Sequence, residues 1–173
     1  MDEIRKPDYE EEGIQLYLGD CLEIMKTIPD KSIDLVLTDP PYAGAGMKYE
    51  SFDDTNIEKV NNLILNFLQE AKRIAKITIF PSGKYTTEKL LFKISPPQWR
   101  LCWHKGAGSN RSAVGFNDWE MMMVYGDKIC VNQHDHFTIP NIEKLGSHGH
   151  PCPKPVAWAK WIIYRFSLKD GIV

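Results

Sequence analysis

A carboxylate, two prolines and an aromatic ring, Asp39-Pro40-Pro41-Tyr42, stand directly after the apolar run Ile33-Asp34-Leu35-Val36-Leu37 and Thr38. An exocyclic amine on a nucleobase is a poor nucleophile, because its lone pair is delocalised into the ring. Acceptors on both sides of such an amine take its two N–H groups and push the nitrogen toward a tetrahedral, nucleophilic form. Asp39 offers one acceptor and the Pro40 carbonyl a second. Paired prolines, which lack N–H groups, stiffen the backbone that aims this carbonyl. Tyr42 offers a ring face on which a base drawn out of its stack can rest. Ala43 to Gly46 are small enough to let the loop close over it. The plainer alternative is a proline turn with a capping Asp and a packed Tyr.

Positioning such a group requires strand ends that share one crevice. Residues 14–18 (IQLYL) read as a strand ending in Gly19-Asp20, and residues 77–80 (ITIF) as one ending in Pro81-Ser82-Gly83. Residues 99–105 and 119–126 read as two more strands joined by a polar, glycine-containing loop. Between them, Val60, Leu63, Ile64, Phe67, Leu68, Ala71 and Ile74 recur at helical period, and Thr55 with Glu58 has capping-box spacing. Further helices are expected from Tyr85 to Ile94, before Pro96-Pro97, and from Pro155 to about Leu168. Residues 127–150 show no clear period. Short apolar strands alternating with helices predict an α/β fold with a mostly parallel sheet, in which ligands bind beyond the carboxyl ends of the strands.

Composition sets the frame. At 173 residues, 43% of them hydrophobic, the chain has enough material for one domain with its own core. No apolar stretch approaches a membrane span, and four scattered cysteines predict a reduced, cytoplasmic protein. The formal net charge of -2 argues against a protein that simply coats nucleic acid. Its distribution is uneven: Lys84, Lys89, Lys93, Arg100, Lys105 and Arg111 face the single acid Glu88 over residues 84–111. Such a patch suits phosphates, with Lys84, Lys105 and Arg111 the candidate DNA contacts. Cys130, His134, His136, His148, His150 and Cys152 crowd one stretch, but their spacing matches no standard zinc finger, and no metal site is expected.

Four segments together resemble a known family. TDPPY after its strand is similar to the catalytic motif of the amino-group DNA methyltransferases, which make N6-methyladenine or N4-methylcytosine from S-adenosylmethionine. LYLGDCLEIM followed by DLVLTDPPY resembles the opening of their permuted β-class. WEMMMVYG resembles their later W-E strand, and GHPCPKPVAWAKWII their H-P-x-x-K-P segment. The resemblance implies a Rossmann-like methyltransferase sheet with helices on both faces. It also implies a catalytic set of Asp39, Pro40, Pro41 and Tyr42, acting on a flipped base of double-stranded DNA in a restriction-modification setting. Cofactor contacts would come from Asp20, Asp39, His150, Pro151, Lys154 and Pro155. An Asp at the first motif position usually accompanies adenine in this family, so adenine N6 is favoured over cytosine N4. Residues 127–149 are the stretch left for a small target-recognition insertion.

The chain departs from the family at its end. There the helix after H-P-x-x-K-P leads to a strand and a glycine-rich loop that holds the cofactor, whereas this sequence ends at KDGIV, residues 169–173. A single, partial methyltransferase domain is therefore expected. A homodimer or a complementing C-terminal segment would supply the remainder. A catalytically inactive nucleic-acid-binding module of the same fold is the alternative.

Overall fold

The computed structural model describes residues 5–42, 48–49, 52–83, 85–106, 115, 117–126, 134–140, 153–167 and 169–173. Strands β1 (Tyr9–Glu11) and β2 (Ile14–Leu16) form an antiparallel ribbon of their own. IQLYL thus contributes three residues to a hairpin and none to the main sheet. Helix α1 (Cys21–Lys26) and strand β3 (Ile33–Leu37) follow. A two-residue pair, β4 (Lys48–Tyr49) and β5 (Phe52–Asp53), precedes α2 (Ile57–Ile74). Then come β6 (Ala75–Pro81), α3 (Tyr85–Ile94), β7 (Trp99–His104), β8 (Trp119–Tyr125), β9 (His136–Thr138) and α4 (Val156–Phe166).

Five strands form one sheet in the order β3-β6-β8-β7-β9. It is mixed, which corrects the expected mostly parallel sheet. β3–β6 and β7–β9 run parallel, whereas β6–β8 and β7–β8 run antiparallel. The reason is local: β7 and β8, consecutive strands of the sheet, pair antiparallel with each other, and β8 then lies against β6 in the reverse sense. β9 falls in the stretch without a readable period, since three residues are too few to show one. Part of 127–149 therefore belongs to the sheet, with Phe137 stacked on Trp161 at 4.0 Å between ring centroids.

Strand alternation feeds two cores. Phe80, Met123 and Tyr125 turn to one face, where they meet Met25 of α1, the buried stripe Val60, Ile64, Phe67, Leu68 and Ala71 of α2, and Leu91 of α3. Leu35, Ile79, Leu101, Trp103, Met122 and Val124 turn to the other, against Trp158, Ile162 and Phe166 of α4. Helices thus cover both faces. The cap of α2 is Asn56, whose side chain accepts the Lys59 N–H at 3.0 Å, rather than the expected Thr55. Asn serves at least as well as Thr in that role. Pro155 likewise stands at the N-cap of α4, and the helix closes at Phe166, with the Ser167 N–H on the Ile163 carbonyl.

The free side of β3 carries the end of the chain. The Ile172 carbonyl accepts the Asp34 N–H at 2.9 Å and the Leu35 N–H at 3.2 Å, and the Ile172 N–H donates to Asp34 Oδ2 at 2.9 Å. Lys76 donates to the other carboxylate oxygen at 2.7 Å. The Lys76 ammonium and the Ile172 amide hold the Asp34 carboxyl below its ordinary pKa. A lowered folded pKa means that the stabilisation is complete above the unfolded value, about 3.9, and fades as pH falls through the folded one. Asp34→Asn is therefore expected to cost about 1–2 kcal/mol at pH 7. Urea unfolding at stepwise lower pH should show this difference from wild type closing below about pH 4.

Candidate active site

Three strand ends meet on one edge of the sheet. The Thr38 N–H reaches the Ile79 carbonyl at 3.3 Å as the last link between β3 and β6, and Asp39 follows immediately. β6 ends at Pro81, where the Ser82 N–H donates to the Met121 carbonyl at 2.9 Å and binds that strand end to β8. The buried Ser82 hydroxyl lies 2.7 Å from Glu88 Oε1, tying the same point to the first turn of α3. Because β8 runs antiparallel to β6, its own start, Trp119-Glu120, arrives at this edge.

Gly83 then takes φ +70°, a conformation that favours glycine. Its missing side chain has a second use. A Cβ there would stand 2.1 Å from Tyr42 Cδ1, so the tyrosine ring lies directly against the glycine backbone. From that seat the Tyr42 hydroxyl reaches Asp39 Oδ1 at 2.5 Å. Lys154, just before α4, donates to Asp39 Oδ2 at 2.7 Å and approaches the Tyr42 hydroxyl at 3.2 Å. The Lys154 side chain is 15% exposed and that of Asp39 32%, so the pair sits at the mouth of a crevice rather than on open surface.

A second carboxylate lies close by. Glu120 stands 3.6 Å from Lys105, with both of those charged side chains nearly buried. Burial, then the charges of Glu120 and Asp39, raise the Tyr42 pKa far above that of an ordinary phenol. The hydroxyl stays protonated and acts as a donor. Asp39, Tyr42, Glu120, Lys105 and Lys154 thus form one polar cluster drawn from separate parts of the chain. Its acceptor, Asp39, faces outward.

The structure brings Asp39, Tyr42 and Lys154 within hydrogen-bond distance of one another, with Pro40 and Pro41 between the first two and Pro155 buried at the start of α4. Asp20 is exposed and caps α1, accepting the Leu22 N–H at 2.8 Å. Lys84, Arg111, His150 and Pro151 lie outside the described residues. Lys105, expected on a basic outer surface, instead turns inward to Glu120. Its backbone N–H donates to the Asp118 carbonyl, which continues the β7–β8 register and puts Lys105 on the same side as Leu101 and Trp103. Gly83 and Glu120 are the site residues that sequence reasoning left without partners. An acid inside the apolar stretch Trp119 to Tyr125 was the available signal for Glu120. Among the described residues no group of three or more His, Cys, Asp or Glu is placed to hold a metal ion.

The fold and this cluster can be set beside known proteins. The chain matches no family model. It is 46% identical over 39 residues to Type II methyltransferase M.PvuII of Proteus hauseri, a segment that is 22% of this chain and 12% of that protein. Over 45 residues it is 47% identical to M.ScaI of Streptomyces caespitosus, covering 26% of this chain and 14% of the relative. A longer segment of 76 residues is 34% identical to M.HinfI of Haemophilus influenzae, covering 35% and 21%. The matched segments thus span about a fifth or less of these relatives. Among solved structures, PvuII DNA methyltransferase (cytosine-N4-specific) superposes with a TM-score of 0.67 at 16% identity, over 96% of this chain and 75% of that one. The chain has the α/β fold of that methyltransferase, and its segments are similar to Type II methyltransferases.

The seat of Tyr42 is open to direct test. Gly83→Ala forces either the ring or the loop to move and puts a Cβ at positive φ, so it should cost about 1–3 kcal/mol. In a Tyr42→Ala background only the backbone part remains, so the loss should be clearly smaller. Equal losses in urea unfolding of the two pairs would show that the ring contact is not the source.

Proposed function

We propose that this chain carries the catalytic portion of a DNA amino-methyltransferase, which transfers a methyl group from S-adenosylmethionine to an exocyclic base amine. The observation that carries the reading is the outward-facing Asp39 carboxylate at a strand end, fixed by Tyr42 and Lys154 at 2.5 and 2.7 Å. The fold shared with a solved DNA methyltransferase and the segments similar to Type II methyltransferases support it. Double-stranded DNA is the partner in this reading. No described helix is long and apolar enough to cross a membrane.

The donor set suits the cofactor. Lys154, a cation at the crevice mouth, can receive its carboxylate, and the exposed carboxylate of Asp20 can accept from a hydroxyl or amine. When bound, S-adenosylmethionine supplies an electrophilic methyl group. The chain's own residues prepare the nucleophile. Asp39 accepts one N–H of the base amine, and the Pro40 carbonyl accepts the other. Together they draw the nitrogen lone pair out of conjugation and aim it. Lys154, donating to Oδ2 at 2.7 Å, fixes the orientation of the Asp39 carboxylate. Tyr42 borders the place where the extruded base would rest.

Adenine N6 is the proposed target, on the strength of an Asp at the first motif position. The solved relative is named cytosine-N4-specific. Tritiated S-adenosylmethionine with unmethylated genomic DNA, followed by nucleoside mass spectrometry, separates the two. N6-methyladenine is expected, and N4-methylcytosine would overturn the base assignment alone. Asp39→Ala should abolish transfer, by 100-fold or more (~3 kcal/mol), while DNA affinity changes little, because phosphate contacts dominate binding. Retardation of DNA without any transfer by the unaltered protein would favour an inactive binding module.

A further inference from the structure

Beyond α3 the outer strands of the sheet carry a groove. Arg100 and Cys102 alternate with Leu101 and Trp103 along β7, so they turn to the face that α2 and α3 cover, as Trp119 and Met121 of β8 do. With Phe92 of α3 and Asp135 on the far wall they line a groove of about 630 Å3. The Phe92 and Trp119 side chains are exposed there, at 40% and 48%. The rim on the α3 side repeats the mixture of rings and cations. Tyr85, Lys89 and Phe92 follow one another at helical spacing, all of them exposed. Lys89 Nζ stands 5.4 Å from the centre of the Tyr85 ring, and the Arg100 guanidinium 6.0 Å from that of Phe92. Neither cation has a carboxylate partner among the described residues, and Glu88, the acid beside them on α3, is turned to Ser82. The groove also has a fixed relation to the crevice. Tyr85 comes two residues after Gly83, and Trp119 opens β8 at the same edge of the sheet.

Exposed rings interleaved with unpaired cations suit an unpaired nucleic-acid strand, whose bases stack on the rings while its phosphates meet the cations. A duplex keeps its base faces inside the stack and leaves such rings unused. An apolar protein partner would bury Lys89 and Arg100 without giving them counter-charges. Asp135 lies beside His136 at 3.6 Å on the far wall, so the phosphates belong on the α3 side. We propose that the groove between α3 and the β7–β8 strands binds a short single-stranded stretch of DNA, with bases on Phe92 and Trp119 and phosphates on Lys89 and Arg100. A ten-residue helix such as α3 is about 15 Å long, enough for about four stacked nucleotides at roughly 3.4 Å each. The inference rests on the reading of the crevice as a DNA site, and it gives an unpaired strand a path between Tyr85 and Trp119.

The test is the fluorescence anisotropy of labelled octathymidylate titrated with the protein at stepped salt. Phe92→Leu and Trp119→Leu should each weaken binding about fivefold or more, because a stacked base loses its ring. Phe92→Trp, which keeps a ring face, should retain the affinity. Lys89→Gln/Arg100→Gln should weaken binding and flatten the salt dependence of log affinity by about 1.4, at about 0.7 per cation. All four side chains are exposed, so these changes leave both cores intact. If the cation variant weakens binding while both leucine variants bind as the unaltered protein does, phosphates are drawn to the surface without stacking and the proposal is wrong.

Photo-crosslinking locates the strand directly. Octathymidylate carrying 5-iododeoxyuridine, irradiated with the unaltered protein and mapped by mass spectrometry, should attach to Tyr85, Phe92 or Trp119. Attachment confined to other residues would overturn the site. Neither readout needs turnover, so the two readings fail separately. Protein that crosslinks in the groove but transfers no methyl group from tritiated S-adenosylmethionine would count against the methyltransferase reading and leave the groove standing. Active protein that never crosslinks there would sink the groove alone.

Discussion

Everything at the crevice depends on one absent side chain. Tyr42 reaches Asp39 because its ring lies where a Cβ on Gly83 would be, and Gly83 can sit there because φ +70° costs a glycine little. The contact joins the two parallel strands at their functional ends: Tyr42 follows β3, and Gly83 follows β6. Ser82 fixes the second of these ends to β8 and α3. The position of the phenol is thus set by backbone, and backbone anchored in a sheet moves little. A carboxylate placed by such a phenol is aimed more tightly than one on a free loop, and geometry of this kind is what orientation-dependent chemistry requires.

Charge burial explains why the cluster has five members. A lone carboxylate at the depth of Glu120 would be strongly destabilising, and so would a lone ammonium at the depth of Lys105. Their 3.6 Å separation gives Coulombic relief without the full benefit of a direct hydrogen bond. The outer pair, Asp39 and Lys154, is joined at 2.7 Å beside the Tyr42 hydroxyl. Two acids and two bases give the cluster no formal net charge.

How much of this could be read in the sequence follows from the range of each interaction. The IDLVL run with two prolines after it marks a strand end with its acid outward, and the 3.6-residue period of α2 marks the buried stripe Val60 to Ala71; both are local signals. The polar, glycine-containing stretch between β7 and β8 also lay in view, and its composition suits a hairpin. That β8 would then insert between β7 and β6 is a non-local choice, with no trace in the pattern of either strand. The same limit hid the inward turn of Lys105. As one of several bases between residues 84 and 111 it reads as surface, and only the register that puts it beside Trp103 and Leu101 shows otherwise. Gly83 and Tyr42 are 41 positions apart and meet only through strand pairing. No spacing rule connects them.

Asp34 shows the same logic at the other side of β3. An acid within an apolar strand reads as a flaw unless its partners are known: Lys76 at the start of the neighbouring strand and the Ile172 backbone at the end of the chain. Glu120 is the parallel case, an acid within an apolar strand whose partner, Lys105, comes from the residue after β7. Asp34 serves pairing at an edge and is tied to backbone as well as to an ammonium, whereas Glu120 faces its ammonium inside the sheet. Both acids make sense only once the register is known, because Lys76 reaches Asp34 through the pairing of β3 with β6, and Lys105 reaches Glu120 through that of β7 with β8.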